Sequence, residues 1–190
     1  SNTAVGFASL QLNVAGNNNT AVGASSLQNN LADNNTALGA GALNLNTTGI
    51  NNTALGTATL NTNTTGANNT AVGTAALNLN TIGTQNTAVG AAAGQQNTAG
   101  SFNTTVGFSS LQANTVGLGN TAVGFTALAI STGNFNTAVG NAAGSLLVTG
   151  DNNVYVANTG LAVESNTTRI GTTGVQTRCF ASGIRGVVTG

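Results

Sequence analysis

Six side chains carry charge: Asp33, Asp151, Glu164, Arg169, Arg178 and Arg185. Acid–base catalysis near neutral pH usually draws on His, and the chain has none. Asp151 and Glu164 are the carboxylates closest in sequence, and paired carboxylates are what glycoside hydrolysis uses. Nothing around them suggests a cleft, so they are read instead as partners for Arg169, Arg178 and Arg185, within or between chains. Cys179 is alone, which excludes an intrachain disulfide, and without His there is no zinc set. It reads as a small buried residue or as an interchain contact near a three-fold axis. Calcium-binding nonapeptide rolls need an Asp in every turn, and only Asp33 and Asp151 are available. No catalytic, metal or cofactor set follows, and the chain is read as a non-enzyme. The remaining candidates are aromatic. Phe102, Phe108, Phe125 and Phe135 crowd one stretch, either filling gaps in a core or forming an exposed patch that stacks on a glycan or receptor.

The composition explains this poverty of chemistry. Charged residues make up 3% of the 190, against about 25% in ordinary domains. Net charge is zero, so nucleic-acid binding by phosphate neutralisation has no source of cations. No apolar run approaches the roughly 18 residues of a membrane-spanning helix. The first residues already belong to a repeat, so the chain reads as a piece of a longer or processed protein.

That repeat is Asn-Thr-Ala-Val-Gly or a close variant, beginning at Asn2, Asn19, Asn35, Asn52, Asn69, Asn86, Asn103, Asn120 and Asn136. The steps are 17 residues, or 16 where Asn19 leads to Asn35 and Asn120 to Asn136. Thr-Ala-Val is long enough only for a brief strand. A second apolar point follows at Leu10, Leu27, Leu43, Leu60, Leu77, Leu111 and Leu128. Segments such as Asn46–Gly49 have turn chemistry. Recurrent Gly, Asn and Thr disfavour helix.

A short strand and turn at a fixed period predict a coil stacking on itself, with equivalent residues about 4.8 Å apart. The fold expected is all-β, a tandem-repeat β-solenoid or β-roll of about 17 residues per coil. Val and Leu are expected to form ladders inside it, Val72 among them, with the leading Asn stacked as an amide ladder. One Val or Leu buried is worth roughly 1.5–3 kcal/mol, while ordering 17 residues costs more than roughly 17 kcal/mol in backbone entropy. So thin a coil is expected to share an apolar face with neighbours, as an intertwined homotrimer.

Asn-Thr-Ala-Val-Gly-x-x-Ala-Leu resembles the left-handed β-roll repeats in the heads of trimeric autotransporter adhesins. It resembles more closely the arrays that precede the chaperone-of-endosialidase domain in phage-like tail fibres and related bacterial surface proteins. The closing segment is similar to the stretch leading into that chaperone: Asn152–Val156, Glu164–Gly171, Gln176-Thr177 and Phe180–Val187. The resemblance implies a homotrimeric fibre, extracellular on a virion, an injection machine or a bacterial surface, whose folding chaperone is cut off after assembly. A period of 17 departs from the shorter repeats usual in adhesin heads.

Residues 1–151 are therefore read as a nine-repeat shaft and 152–190 as a neck or tip segment. The expected function is a structural fibre segment that spaces or presents a host or cell-surface attachment tip. Its partners would be two further copies of itself and a surface glycan or receptor, with no nucleic acid and no membrane insertion. The alternative is an ice-binding β-solenoid, if the Thr ladder from Thr3 to Thr70 faces solvent. Gly94 and Gly144, standing where Leu is expected, are read as bends or interchain contacts. Asn-x-Thr triplets are a by-product of the repeat rather than glycosylation sites.

Overall fold

The computed structural model describes residues 1–172 and 174–176. Cys179, Arg178, Arg185, Thr177 and the Phe180–Val187 motif lie outside the described residues. The strands are β1 (Thr3–Val5), β2 (Thr20–Val22), β3 (Thr36–Leu38), β4 (Thr53–Leu55), β5 (Thr70–Val72), β6 (Thr87–Val89), β7 (Thr104–Val106), β8 (Thr121–Val123), β9 (Thr137–Val139), β10 (Val154–Val156) and β11 (Thr168–Ile170). They form one parallel sheet in chain order. Register is one-to-one, as in Thr53↔Thr70, Ala54↔Ala71 and Leu55↔Val72. The chain is thus a β-solenoid, one strand per coil. Its eleven strands span about 48 Å at 4.8 Å per step. The ladder crosses residue 151 without a break, because β10 pairs with β9 and β11 with β10.

The recurrent Leu points inward as expected, from Leu27 at 0% to Leu77 at 1% exposed. The recurrent Val does not. A three-residue strand alternates, so its middle residue faces one way and its ends the other. The middle residue is Ala, fully buried at Ala21, Ala37, Ala54, Ala71, Ala88, Ala122 and Ala138. Thr and Val or Leu both face outward. Val72 is half-exposed, and Leu38 and Leu55 are exposed. The expectation of an inward Val ladder is corrected on this point. A core already filled by Leu and the buried Asn leaves room only for a methyl group on the strand side.

Two polar ladders complete the interior. The leading Asn is buried, and its Oδ1 accepts the backbone N–H of the next one, Asn52 from Asn69 at 3.0 Å and Asn69 from Asn86 at 2.9 Å. Its Nδ2 donates to a turn carbonyl, Asn69 to Gly83 at 2.9 Å. The second ladder comes from residues that read as turn formers. Nδ2 of Asn46 donates to Oδ1 of Asn30 at 2.6 Å, Asn63 to Asn46 at 2.7 Å, Asn80 to Asn63 at 2.8 Å and Asn97 to Asn80 at 2.7 Å. Because buried polar groups cost free energy unless paired, this mutual satisfaction is what lets so polar a chain fold around so narrow a core. Among the described residues, one buried side-chain polar atom lacks a partner, Oγ of Ser131.

The turns are tight and carry strain. The recurrent Leu residues, from Leu10 to Leu128, adopt φ between 46° and 50°, a left-handed conformation costing roughly 1–2 kcal/mol. Their burial repays a similar amount. At Gly73 the coils approach too closely for any side chain: φ is +127°, and a Cβ would lie 2.6 Å from the backbone of Gly90.

Candidate functional site

The described carboxylates are already engaged. Asp33 and Asp151 hold equivalent corners, where Oδ1 accepts the backbone N–H of Asn17 and of Asn134 respectively, each at 2.6 Å. Glu164 sits in a network below β10. Its Oε1 accepts from Tyr155 Oη at 2.9 Å and from the Leu161 backbone at 2.9 Å. Its Oε2 meets Arg169 Nη2 at 2.7 Å. The expected pairing of Arg169 with Glu164 is present. Hydrogen bonding from Arg169 chiefly holds the Glu164 carboxyl below its ordinary range, against burial, which pushes it up. Burial first, then the bond to Glu164, pushes the Tyr155 phenol well above its ordinary value.

Gly144 belongs to this network. Tyr155 replaces the inward Ala of its strand and is fully buried. A Cβ on Gly144 would lie 2.8 Å from Tyr155 Cδ2 and 2.6 Å from Leu128 Cδ2. The missing Leu side chain is the space the ring occupies. Gly94 is similar in kind: Thr105 replaces the inward Ala beside it, and a Cβ there would meet Leu77 Cδ2 at 3.0 Å and Thr105 Cγ2 at 3.4 Å. Strand register runs unbroken through both places. Each glycine has its reason within the chain, in the residue eleven positions later.

What remains for a ligand or partner is the outer surface. The outward strand face carries Thr at its first position in every described strand except β10 and an aliphatic residue at its third in all of them. Val5 is 57% exposed and Leu38 45%. Beside this face, in coils six to eight, lie the four predicted Phe residues. Phe108 and Phe125 follow β7 and β8, each one residue beyond the closing Gly. Their rings stack with centroids 5.6 Å apart and planes 13° apart. Phe102 and Phe135 precede β7 and β9 by two residues, on the other rim. All four are between 52% and 60% exposed, so they do not fill the core of this chain. Phe135 lies over Gly119, where a Cβ would be 2.6 Å from its ring.

Among the described residues, no group of three or more His, Cys, Asp or Glu could hold a metal ion, and no helix is long and apolar enough to cross a membrane. Comparison with protein-family models, curated proteins and solved structures returns no match.

Proposed function

We propose that the chain is a shaft segment of an extracellular attachment fibre, of the tail-fibre or surface-adhesin kind, working as a homotrimer whose strand faces meet. The fibre spaces or presents a tip that attaches to a host or cell surface. One observation carries the trimer: the third residue of every described strand is aliphatic although it faces out of the coil. A surface position free of constraint would drift to polar residues. The exposed residue just after the closing Gly is not so restricted, running through Ala24, Thr57, Phe108 and Asn141. An apolar row about 48 Å long approaches the size of patch that marks an interaction surface. The resemblance of the repeat and closing segment to fibre arrays supplies the extracellular setting. Light scattering tests the assembly. The expected mass is three times 18.4 kDa, about 55 kDa; a folded species of 18.4 kDa at micromolar concentration would overturn it.

A second reading has support from the same face. Thr and an aliphatic side chain recur together on every described strand but β10, a regular array of the kind that could order water as ice. Thermal hysteresis of the purified chain separates the two, since a fibre whose faces meet has no free array to bind ice.

A further inference from the structure

We propose that coils six to eight carry a binding site for an uncharged pyranose, built on the Phe108–Phe125 stack and on Phe102 and Phe135 at the opposite rim. The inference rests on the attachment-fibre reading for its setting and adds the ligand and its place.

Four observations lead to it. The first is confinement. The chain has six Phe residues, and four of them fall within positions 102 to 135. At the residue after the closing Gly, the neighbouring coils carry Ala91 before the Phe pair and Asn141 after it. Phe7 stands alone at the same position of the first coil; the adjacent, stacked pair is the local departure, and selectivity needs such departures.

The second is backbone cost. Phe102 and Phe135 adopt φ of 62° and 54°. The same corner is occupied by Asn18, Asn34, Asn51, Asn68 and Asn152 in other coils, with φ between 57° and 60°. Asn tolerates this conformation, whereas a bulky side chain there is an outlier. A side chain that is both strained and 60% or 59% exposed contributes little to this chain's fold. Strain kept at an exposed position points to function.

The third is ring presentation. Phe108 and Phe125 lie nearly parallel, so each covers one face of the other and leaves one outer face free. Those faces look along the shaft, towards the Ala91 and Asn141 coils. A flat ring of C–H groups can extend the stack in either direction.

The fourth is chemical surroundings. No charged residue occurs between Asp33 and Asp151, so nothing nearby recognises an ionic ligand. On the same stretch of shaft, Thr104 and Thr121 open β7 and β8 on the outward face and Asn141 is exposed after the next closing Gly, offering hydroxyl and amide groups. A pyranose combines an apolar face of C–H groups with an equatorial belt of hydroxyls, and matches both. An apolar peptide would leave those polar groups without partners. The two rims are separated by the six residues from 102 to 108, at most about 20 Å of chain. One sugar engages one rim, and an oligosaccharide reaches both.

The test uses the assembled chain and a panel of neutral oligosaccharides containing glucose, galactose and N-acetylhexosamine, read by saturation-transfer NMR. Saturation is expected on pyranose ring C–H protons for at least one sugar. Phe108→Ala with Phe125→Ala should weaken that binding at least tenfold at unchanged oligomeric mass. Phe102→Asn with Phe135→Asn restores the residue usual at that corner. It should leave the melting temperature unchanged or raised and still weaken binding of the longer sugars. No transfer to any sugar of the panel overturns the proposal. So does dissociation of the assembly by the Phe108 and Phe125 pair, which would make the rings a contact between copies. Oligomeric mass tests the fibre reading separately, so either can fail alone.

Discussion

The pairing of Gly144 with Tyr155 makes a sharp quantitative prediction. Tyr155→Ala restores the strand consensus at β10 but leaves the space of a buried ring, because Gly144 has no side chain to fill it. Truncating a buried aromatic costs about 3–5 kcal/mol, and loss of the Tyr155–Glu164 bond adds to it. Gly144→Leu alone overpacks, since its Cβ would lie 2.8 Å from the Tyr155 ring, at a cost of about 1–3 kcal/mol. Gly144 has φ of +63°, close to that of the Leu residues it replaces, so the backbone accepts Leu. The double variant recreates the Leu-over-Ala arrangement of the other coils and should cost under about 2 kcal/mol. The single losses sum to about 4–8 kcal/mol, so the coupling is at least about 2 kcal/mol, as for residues in direct contact. Because solenoids unfold locally, the assay is hydrogen exchange at amides bonding the last coils, such as Val154 to Thr167. Additive losses in the double variant would refute the claim that Gly144 exists to seat Tyr155.

Further outcomes follow from the ladders and the charges. Ala71→Asp buries an unpaired carboxylate between coils and should cost several kcal/mol; Thr74→Asp, at an exposed position beyond the strand, should stay within about 0.5 kcal/mol. Equal thermal shifts would mean that the facing assignment is wrong. Asn80→Ala removes a donor to Asn63 and to Gly83 and an acceptor for Asn97; at about 1–3 kcal/mol per stranded partner, it should cost at least about 2 kcal/mol by denaturant melting. The network at Glu164 predicts a pH profile. Its depressed folded-state value means its contribution is complete above about pH 4.3, the ordinary Glu value, and is lost as pH falls through the folded value. Tyr155, held up, has its contribution complete below about pH 10 and loses it as pH rises further. Glu164→Gln should remove the acid limb, and an unchanged limb would refute this assignment.

Much of the fold is legible in the periodicity. A Leu at constant spacing with only Gly, Asn, Thr and Ala around it has one place to go, so Leu60 and Leu77 are read inward correctly. The phase of the strand is not legible, because three residues contain one alternation and Thr-Ala-Val fits either way up. Choosing the larger apolar side chain for the interior is the ordinary rule, and it fails at Val72 because the interior is too narrow. The Asn63 ladder is hidden for another reason: Asn63 to Gly66 has turn chemistry, and turning the chain and bonding across coils use the same residue. Gly144 is intelligible only once stacking places Tyr155 against it. The Phe108–Phe125 stack follows from a separation of one period, whereas the strain at Phe102 and Phe135 needs φ.

The claim on which the account turns is that the outward Thr and aliphatic face is covered by other copies of the chain. A nitroxide at Val72→Cys, with Cys179→Ser to remove the native thiol, tests it directly. Packed sheets lie about 10 Å apart, so labels on meeting faces should broaden each other strongly, and dilution with unlabelled chain should sharpen the spectrum. A label at Thr74→Cys, beyond the strand, should be broadened less. An unbroadened spectrum at Val72→Cys, unchanged by dilution, would contradict the account.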